Sequence, residues 1–338
     1  MEEAGRHNGG RPMKAAVYSR YGPPDVVQIE DVEKPVPKDN EVLIKVRAAS
    51  VNPLDWHFMR GRPSLIRISA GLRKPTVTRL GVDVAGKIEA VGGKVTQFKP
   101  RDEVFGSCRG AFAEYVCAPE SALVMKPDNA TFEQAASVPV AAFTALQALR
   151  DRGKLQPGQR VLINGAAGGV GTFAVQIAKW LGAEVTGVCS TGNVEMVRSI
   201  GADRVIDYTR EDLTRGAQDY DVIFDLVGNH SFSEYRRLLK PKGIHIPCGG
   251  GSPDGGVPGG LARFIKELLL SRFVSQKLIV FFLARLSKND LAIMHQIMKA
   301  GKVKPVIDRC YRLSEVPEAI RYLETGHARG KVVITFES

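Results

Sequence analysis

From Lys14 onward the chain reads as short runs in which apolar and polar residues alternate. Lys14–Tyr18 and Glu41–Arg47 predict strands separated by the Pro-rich turn Lys34–Asp39. The run Gly81–Gly86 leads into a strand at Lys87–Val91, and further short strands are predicted at Glu103–Phe105, Ala113–Cys117 and Ala122–Met125. Short strands at this spacing, punctuated by Gly and Pro, predict a mainly β, barrel-like lobe. The style changes near Ser137. Ala141–Arg150 is rich in Ala and Leu and predicts a helix, after which strands and helices take turns. Strands are expected at Arg160–Asn164, Glu184–Cys189, Arg204–Ile206, Asp221–Asp225 and Gly243–Pro247, with helices at Val170–Leu181, Val194–Ile200 and Phe232–Leu239. That order predicts a doubly wound parallel sheet, hence an α/β fold with a second, mainly β domain. Leu291–Ala300 predicts a last helix, and Lys331–Phe336 a strand whose partner is expected in the first lobe.

Composition narrows the class. The chain has 338 residues, comfortable for two domains, and 44% hydrophobic with 25% charged residues excludes disordered and fibrous chains. No apolar run approaches the length of a membrane span. Lys+Arg 47 against Asp+Glu 36 leaves +11, which suits a phosphorylated cofactor or another polyanion. Basic residues do not cluster with interleaved aromatics, so nucleic-acid binding is not expected. Cys108, Cys117, Cys189, Cys248 and Cys310 form no C-x-x-C pair, which excludes a disulfide framework and a four-cysteine zinc lobe. A reducing compartment, the cytoplasm, is the expectation. Residues 1–12 are polar and Gly-rich, lack a secretion-signal core and are expected to be a disordered extension. Leu261–Lys288 mixes apolar residues with spaced Lys and Arg, a pattern compatible with peripheral contact with an anionic membrane.

The strongest chemical signal is Asn164-Gly-Ala-Ala-Gly-Gly-Val-Gly171, between a predicted strand and a predicted helix. Read as a dinucleotide fingerprint, it carries Ala166 in place of the first glycine, Gly168 where backbone must approach a pyrophosphate, and Gly171 where helix and strand pack. Ala167, Gly168, Gly169, Val170 and Gly171 are the candidate phosphate-binding residues, at a helix N-terminus that favours anions. The next strand ends in Cys189-Ser-Thr-Gly-Asn193 without the carboxylate that holds a ribose 2′-hydroxyl in NAD-preferring folds. Ser190, Thr191 and Asn193 would meet a 2′-phosphate without repulsion, which predicts NADP(H); Ser190 and Asn193 also suit a cap for the next helix.

Six segments together resemble the medium-chain dehydrogenase/reductase superfamily: Ser50-Val-Asn-Pro-Leu-Asp55, Gly81–Gly86, Gly110–Tyr115, Ala142–Leu146, the glycine motif, and Gly201–Asp207. They are similar to its zinc-lacking quinone oxidoreductase branch, of the chloroplast-envelope quinone oxidoreductase homologue type, from Met13 to the C-terminus. The resemblance implies a GroES-like substrate domain over 13–138 and 308–338 and a Rossmann-type cofactor domain over 139–307. It implies reduction of quinones or α,β-unsaturated carbonyls (enals and enones) by NADPH. Zinc-using relatives carry a cysteine where this chain has Asn52, a His-Glu pair where it has Val82-Asp83, and a third ligand near Ala141; no metal is expected. The candidate catalytic residues are Asn52, whose amide NH₂ would face the acceptor, Asp55, which would orient Asn52 or a ribose hydroxyl, and Thr144 beside the nicotinamide. Tyr208 is expected near the 2′-phosphate, and Gly249, Phe282 and Leu283 near the nicotinamide. In this family the region 261–288 covers the sheet edge and supports a homodimer. Relatives that bind RNA or serve as crystallins supply the alternative, an NADPH-responsive binding protein with little turnover.

Overall fold

The computed structural model describes residues 12–64, 66–215, 219–249, 275–279 and 284–337. The first sheet has seven strands. Its members are β3 (Glu41–Val51), β4 (Asp83–Val91), β5 (Glu103–Ser107), β6 (Tyr115–Pro119), β7 (Leu123–Met125), β14 (Ile307–Arg312) and β15 (Lys331–Thr335), while β1 (Met13–Tyr18) and β2 (Val27–Val32) pair as a separate antiparallel ribbon. The order is β14-β15-β3-β4-β5-β7, with β6 also on β3. The last strand returns to the first lobe as expected, Val333 opposite Ser50 and Val332 opposite Val51 in antiparallel register.

The second sheet is parallel throughout, in the order β10-β9-β8-β11-β12-β13. Its strands are β8 (Arg160–Asn164), β9 (Glu184–Cys189), β10 (Arg204–Asp207), β11 (Tyr220–Asp225), β12 (Leu239–Pro247) and β13 (Lys277–Leu278). Val161, Leu162 and Ile163 are fully buried, the unbroken apolar run that a strand covered on both faces requires. The order reverses between β8 and β11, so the ligand crevice of a doubly wound sheet falls at the C-terminal ends of these two strands.

Two helices lead into the junction of the sheets. α1 (Pro53–Arg60) follows β3 directly, and after α2 (Ile66–Ala70) and α3 (Phe132–Ala136) comes α4 (Pro139–Leu146). α4 buries Ala141, Ala142, Phe143, Ala145 and Leu146, as suits a helix covered on nearly every side. It continues into one wide turn, Gln147–Arg152, with π-helical bonding. One apolar cluster runs from Ala48, Ala85 and Phe105 of the first sheet through α4 to Val161 and Phe224 of the second. α5 (Gly169–Trp180), α6 (Val194–Ser199) and α7 (Phe232–Leu238) fill the crossovers, and α8 (Lys288–Lys299) and α9 (Val316–Glu324) complete the chain.

Several elements had no counterpart among the sequence expectations: β2, α1, α3, β14 and α9. β14 reads Ile-Asp-Arg-Cys-Tyr-Arg and is half-exposed along its length, because it is an edge strand with one neighbour. The strand expected at Ala113–Cys117 lies at Tyr115–Pro119, where it pairs with β3. Residues 1–11 and most of 261–288, including the expected dimer or membrane segment, lie outside the described residues. Among the described residues no helix is long and apolar enough to cross a membrane.

The central packing yields a first test. Ala142→Leu adds volume to a fully buried position between the two sheets and is expected to cost about 1–3 kcal/mol. Val36→Ala, at 84% exposure, should stay within about 0.5 kcal/mol. Urea unfolding of both variants checks this.

Candidate active site

The glycine motif forms the turn between β8 and α5. Gly165 adopts φ +84°, the left-handed region that glycine tolerates. Gly165 N and Ala166 N donate to Val188 O at 3.2 and 3.0 Å, anchoring the turn to β9. A Cβ on Gly171 would lie 2.1 Å from Gly165 O, whereas at Gly168 the same oxygen is the nearest atom, at 3.5 Å. Gly171 is thus demanded by packing, and Gly168 leaves room in front of the helix. No side chain caps α5, so the first backbone N–H groups of a twelve-residue helix are presented to the crevice. Ala167 is buried, and Gly169 and Val170 are half-buried beside it. These features fit a dinucleotide pyrophosphate.

The turn after β9 holds the other end of the crevice. Asn193 Nδ2 donates to Ser190 Oγ at 3.1 Å, while Asn193 Oδ1 is buried without a partner. Thr191 Oγ1 donates to Asp207 Oδ2 at 2.6 Å. An acid is therefore present after all, contributed by β10 rather than by the end of β9. Thr191, followed by Thr209 and Arg210, holds its carboxyl below the usual range, and Arg210 Nε lies 3.5 Å from Asp207 Oδ2. A second base arrives from far along the chain: Arg329 Nη2 lies 3.5 Å from where a Cβ on Gly192 would stand. Arg329 was not singled out from sequence, because nothing local to it signals the contact. Tyr208 is 56% exposed, and its N–H donates to Cys189 O. Gly249 packs against the turn after β11, a Cβ there falling 1.9 Å from Leu226 O. Phe282 and Leu283 lie outside the described residues.

Where the two sheets meet, a polar network is buried around Asp83, itself 0% exposed. Asp83 Oδ2 accepts from Ser50 Oγ at 2.7 Å and from Asn52 Nδ2 at 2.9 Å, and Oδ1 accepts from Val140 N at 3.1 Å. The amide of Asn52 also donates to Ser50 O at 3.2 Å, and its Oδ1 accepts from Lys331 Nζ at 2.6 Å. This corrects the expected role of Asn52. Both of its amide hydrogens point inward to acceptors, and a charged lysine, which only donates, can face only the amide oxygen. Of the two partners expected for Asp55, Asn52 and a ribose hydroxyl, it bonds the first: Oδ2 accepts from Asn52 N at 2.7 Å and Oδ1 from Gly81 N at 2.9 Å. It therefore orients Asn52 through the backbone and, at 1% exposure, reaches no ribose. Thr144 Oγ1 donates to Val140 O one turn back at 2.7 Å, which leaves its lone pairs free.

Burial dominates the electrostatics. It raises the Asp83 carboxyl against the pull of Lys331, Asn52 and Ser50, and it lowers the Lys331 ammonium against Asp83 and Asp55. Asp55 is pushed up to about 7, burial outweighing its two backbone N–H bonds. Burial pushes the Cys117 and Cys189 thiols up to about 11 and Cys248 to about 12, and raises Cys108 as well. None is activated as a nucleophile. Beside the network, a cavity of about 140 Å³ is lined by Ser107, Ser121, Phe143, Leu286, Lys288 and Leu291. Ser107 stands opposite Asp83 in the sheet, and its buried hydroxyl has no partner. A larger cavity of about 790 Å³, lined by Lys14, Lys45, Tyr115, Arg312 and Phe336 among others, shares no residue with the network or the glycine turn.

The Asp55 ionisation gives a pH test. The folded chain keeps this proton to about pH 7, whereas an unfolded aspartate releases it near 4. Stability attributable to Asp55 therefore falls as pH rises from about 4 through 7, by up to about 1.4 kcal/mol per pH unit, and levels off above. Asp55→Asn has no such proton to release, so the stability gap between wild type and variant should narrow with rising pH. Urea unfolding at a series of pH values reads it, and a constant gap would refute the assignment.

Residues 38–128 match the family described as "Alcohol dehydrogenase GroES-like domain", and residues 200–334 the family described as "Zinc-binding dehydrogenase". The second name implies zinc, but the donor set does not fit it: an amide already bonded, one carboxylate and an ammonium without a lone pair stand at the junction. Among the described residues no group of three or more His, Cys, Asp or Glu is placed to hold a metal ion. The chain is 35% identical to the NADPH-dependent alkenal/one oxidoreductase, chloroplastic, of Arabidopsis thaliana, over 96% of this chain and 80% of that protein. It is 34% identical to the chloroplast envelope quinone oxidoreductase homolog of the same plant, over 96% of this chain and 99% of the relative. The solved quinone oxidoreductase of Coxiella burnetii superposes with TM-score 0.82 at 30% identity, covering 97% of this chain and all (100%) of that one. Likeness of this extent in sequence, over nearly the whole length of both partners, places the chain in the medium-chain dehydrogenase/reductase superfamily, within its quinone oxidoreductase branch.

Proposed function

We propose that this chain is an NADPH-dependent reductase of quinones or α,β-unsaturated carbonyls that works without a metal. The observation that carries the reading is the uncapped N-terminus of α5 behind Gly168, at the switch point of a parallel sheet. The acceptor class rests on the names of the relatives, an alkenal/one oxidoreductase and a quinone oxidoreductase homolog.

In this reading, residues 139–307 hold the cofactor, and 13–138 with 308–338 hold the acceptor. Bound NADPH supplies the hydride. Residues 167–171 bind its pyrophosphate through backbone N–H groups. Ser190, Thr191 and Asn193 line the 2′-phosphate end, with Tyr208 alongside. Arg329 supplies the positive charge that this turn lacks in its own sequence and offsets Asp207. Thr144 and Gly249 flank the nicotinamide end. The acceptor enters beside the Asn52–Asp83 network, with Ser107 as a hydroxyl donor to its polar atom and Phe143 and Leu291 as apolar walls. Homodimerisation rests on the resemblance, and a reducing, cytoplasmic location on the scattered cysteines; the first of the two relatives named above is chloroplastic.

Anaerobic NADPH oxidation with a small ortho-quinone and a short 2-alkenal, after chelator treatment, tests the reading. Turnover of either acceptor is expected, at least about tenfold better with NADPH than with NADH. Arg329→Gln should lower kcat/KM for NADPH by about tenfold, roughly one charge-assisted hydrogen bond, and leave NADH unchanged. NADPH binding without turnover of either acceptor would overturn the reductase reading, and equal use of both cofactors would overturn the role of Arg329.

A further inference from the structure

Lys331 opens β15 with 3% of its surface exposed. Its ammonium donates to Asn52 Oδ1 at 2.6 Å and to Val51 O at 3.4 Å, and lies 4.0 Å from Asp83 Oδ2. Its aliphatic stem passes the first residue of α5, where a Cβ on Gly169 would stand 3.2 Å from Lys331 Cδ. One side chain thus runs from the glycine turn to the network at the junction. Burying an ammonium is costly unless it is paired and hydrogen-bonded, and here the compensation comes from the buried carboxyl of Asp83 and from the Asn52 and Val51 oxygens that accept from the ammonium. The Lys331 charge pulls the carboxyls of both Asp83 and Asp55 downward against their burial.

Reduction of a quinone or an enal places negative charge on the acceptor's oxygen as the hydride arrives. In a dry crevice a nearby uncompensated carboxylate opposes that charge strongly. Asn52 cannot relieve it, since both amide hydrogens are spent on Ser50 O and Asp83. We propose that Lys331 is a positioning residue for the reductase reaction: its buried ammonium compensates Asp83 and holds Asn52, so that the acceptor gains its negative charge in balanced surroundings. The inference rests on the reductase reading above.

The test compares Lys331→Met, which keeps the stem and removes the charge, with the double variant K331M/D83N, which removes both charges. Each is assayed as the full chain, well below its melting temperature, with saturating NADPH and acceptor, and NADPH binding is measured separately by fluorescence. K331M is expected to lose about 30-fold in kcat while its NADPH Kd stays within about threefold of wild type. The double variant should regain kcat to within about fivefold of wild type. A pH profile separates this from a merely structural role. The kcat of K331M should rise as pH falls and Asp83 takes up a proton, and the double variant should lack that rise. Asp55 and the Cys108 thiol are the other titrating groups that act on or respond to Asp83; burial keeps the thiol protonated over the profile, and K331M/D55N, which should keep the rise, separates Asp55 from Asp83.

Three results would overturn the inference: kcat of folded K331M equal to wild type, a loss confined to NADPH Kd (which would make Lys331 a phosphate ligand), or a double variant as slow as K331M. If the wild-type chain turns over neither acceptor, the reductase reading falls and takes this inference with it. If the wild type is active and K331M matches it, only the inference falls.

Discussion

A single buried carboxylate holds the two halves of this molecule in register. Asp83 sits on β4 without exposure to solvent, and each of its donors comes from a different place: Ser50 at the end of β3, Asn52 at the start of α1, and the Val140 amide at the start of α4. A buried carboxylate left unpaired is among the costlier defects a core can hold. Its satisfaction therefore fixes where α4 enters between the sheets, and α4 in turn carries Phe143 to the small cavity beside the network. Lys331 closes the arrangement from the far end of the chain.

The same constraint explains why metal chemistry has no foothold at this junction. A tetrahedral zinc site needs three protein groups with free lone pairs converging on one point. Here the amide oxygen of Asn52 is capped by an ammonium, and both carboxylate oxygens of Asp83 already accept hydrogen bonds. The positive charge that a metal would bring is instead that of a lysine fixed by its neighbours. Such a cation can neutralise and orient but cannot coordinate.

Charge at the opposite end of the crevice follows a similar logic. The turn after β9 has only hydroxyls and an amide of its own, and β10 adds the carboxylate of Asp207. That charge is answered by Arg210 from the following turn, and Arg329, from the segment before β15, reaches the same turn at Gly192. Two residues apart in sequence, Arg329 and Lys331 reach Gly192 and Asn52 respectively. The C-terminal segment therefore contributes a base to each end of the crevice while its strand belongs to the other sheet.

What the sequence determined by itself was the periodic part. Strands such as Val161–Ile163 are apolar because both faces are covered, and the glycine motif has its spacing because Gly171 must let β8 and α5 touch; such local demands are written in adjacent residues. The fold class, the βα order and the return of β15 to the first sheet were legible for that reason. Edge strand β14 was not, since exposure on its free side erases the alternation. The tertiary structure alone decided which donors remain available. Asn52 and Asp55 were visible as candidates, but the direction of an amide or a carboxylate depends on partners 31, 26 and 279 positions away: Asp83 and Lys331 for Asn52, Gly81 for Asp55. Hydrogen-bond capacity is consumed pairwise in space, and no local pattern records which of a residue's atoms have already been spent.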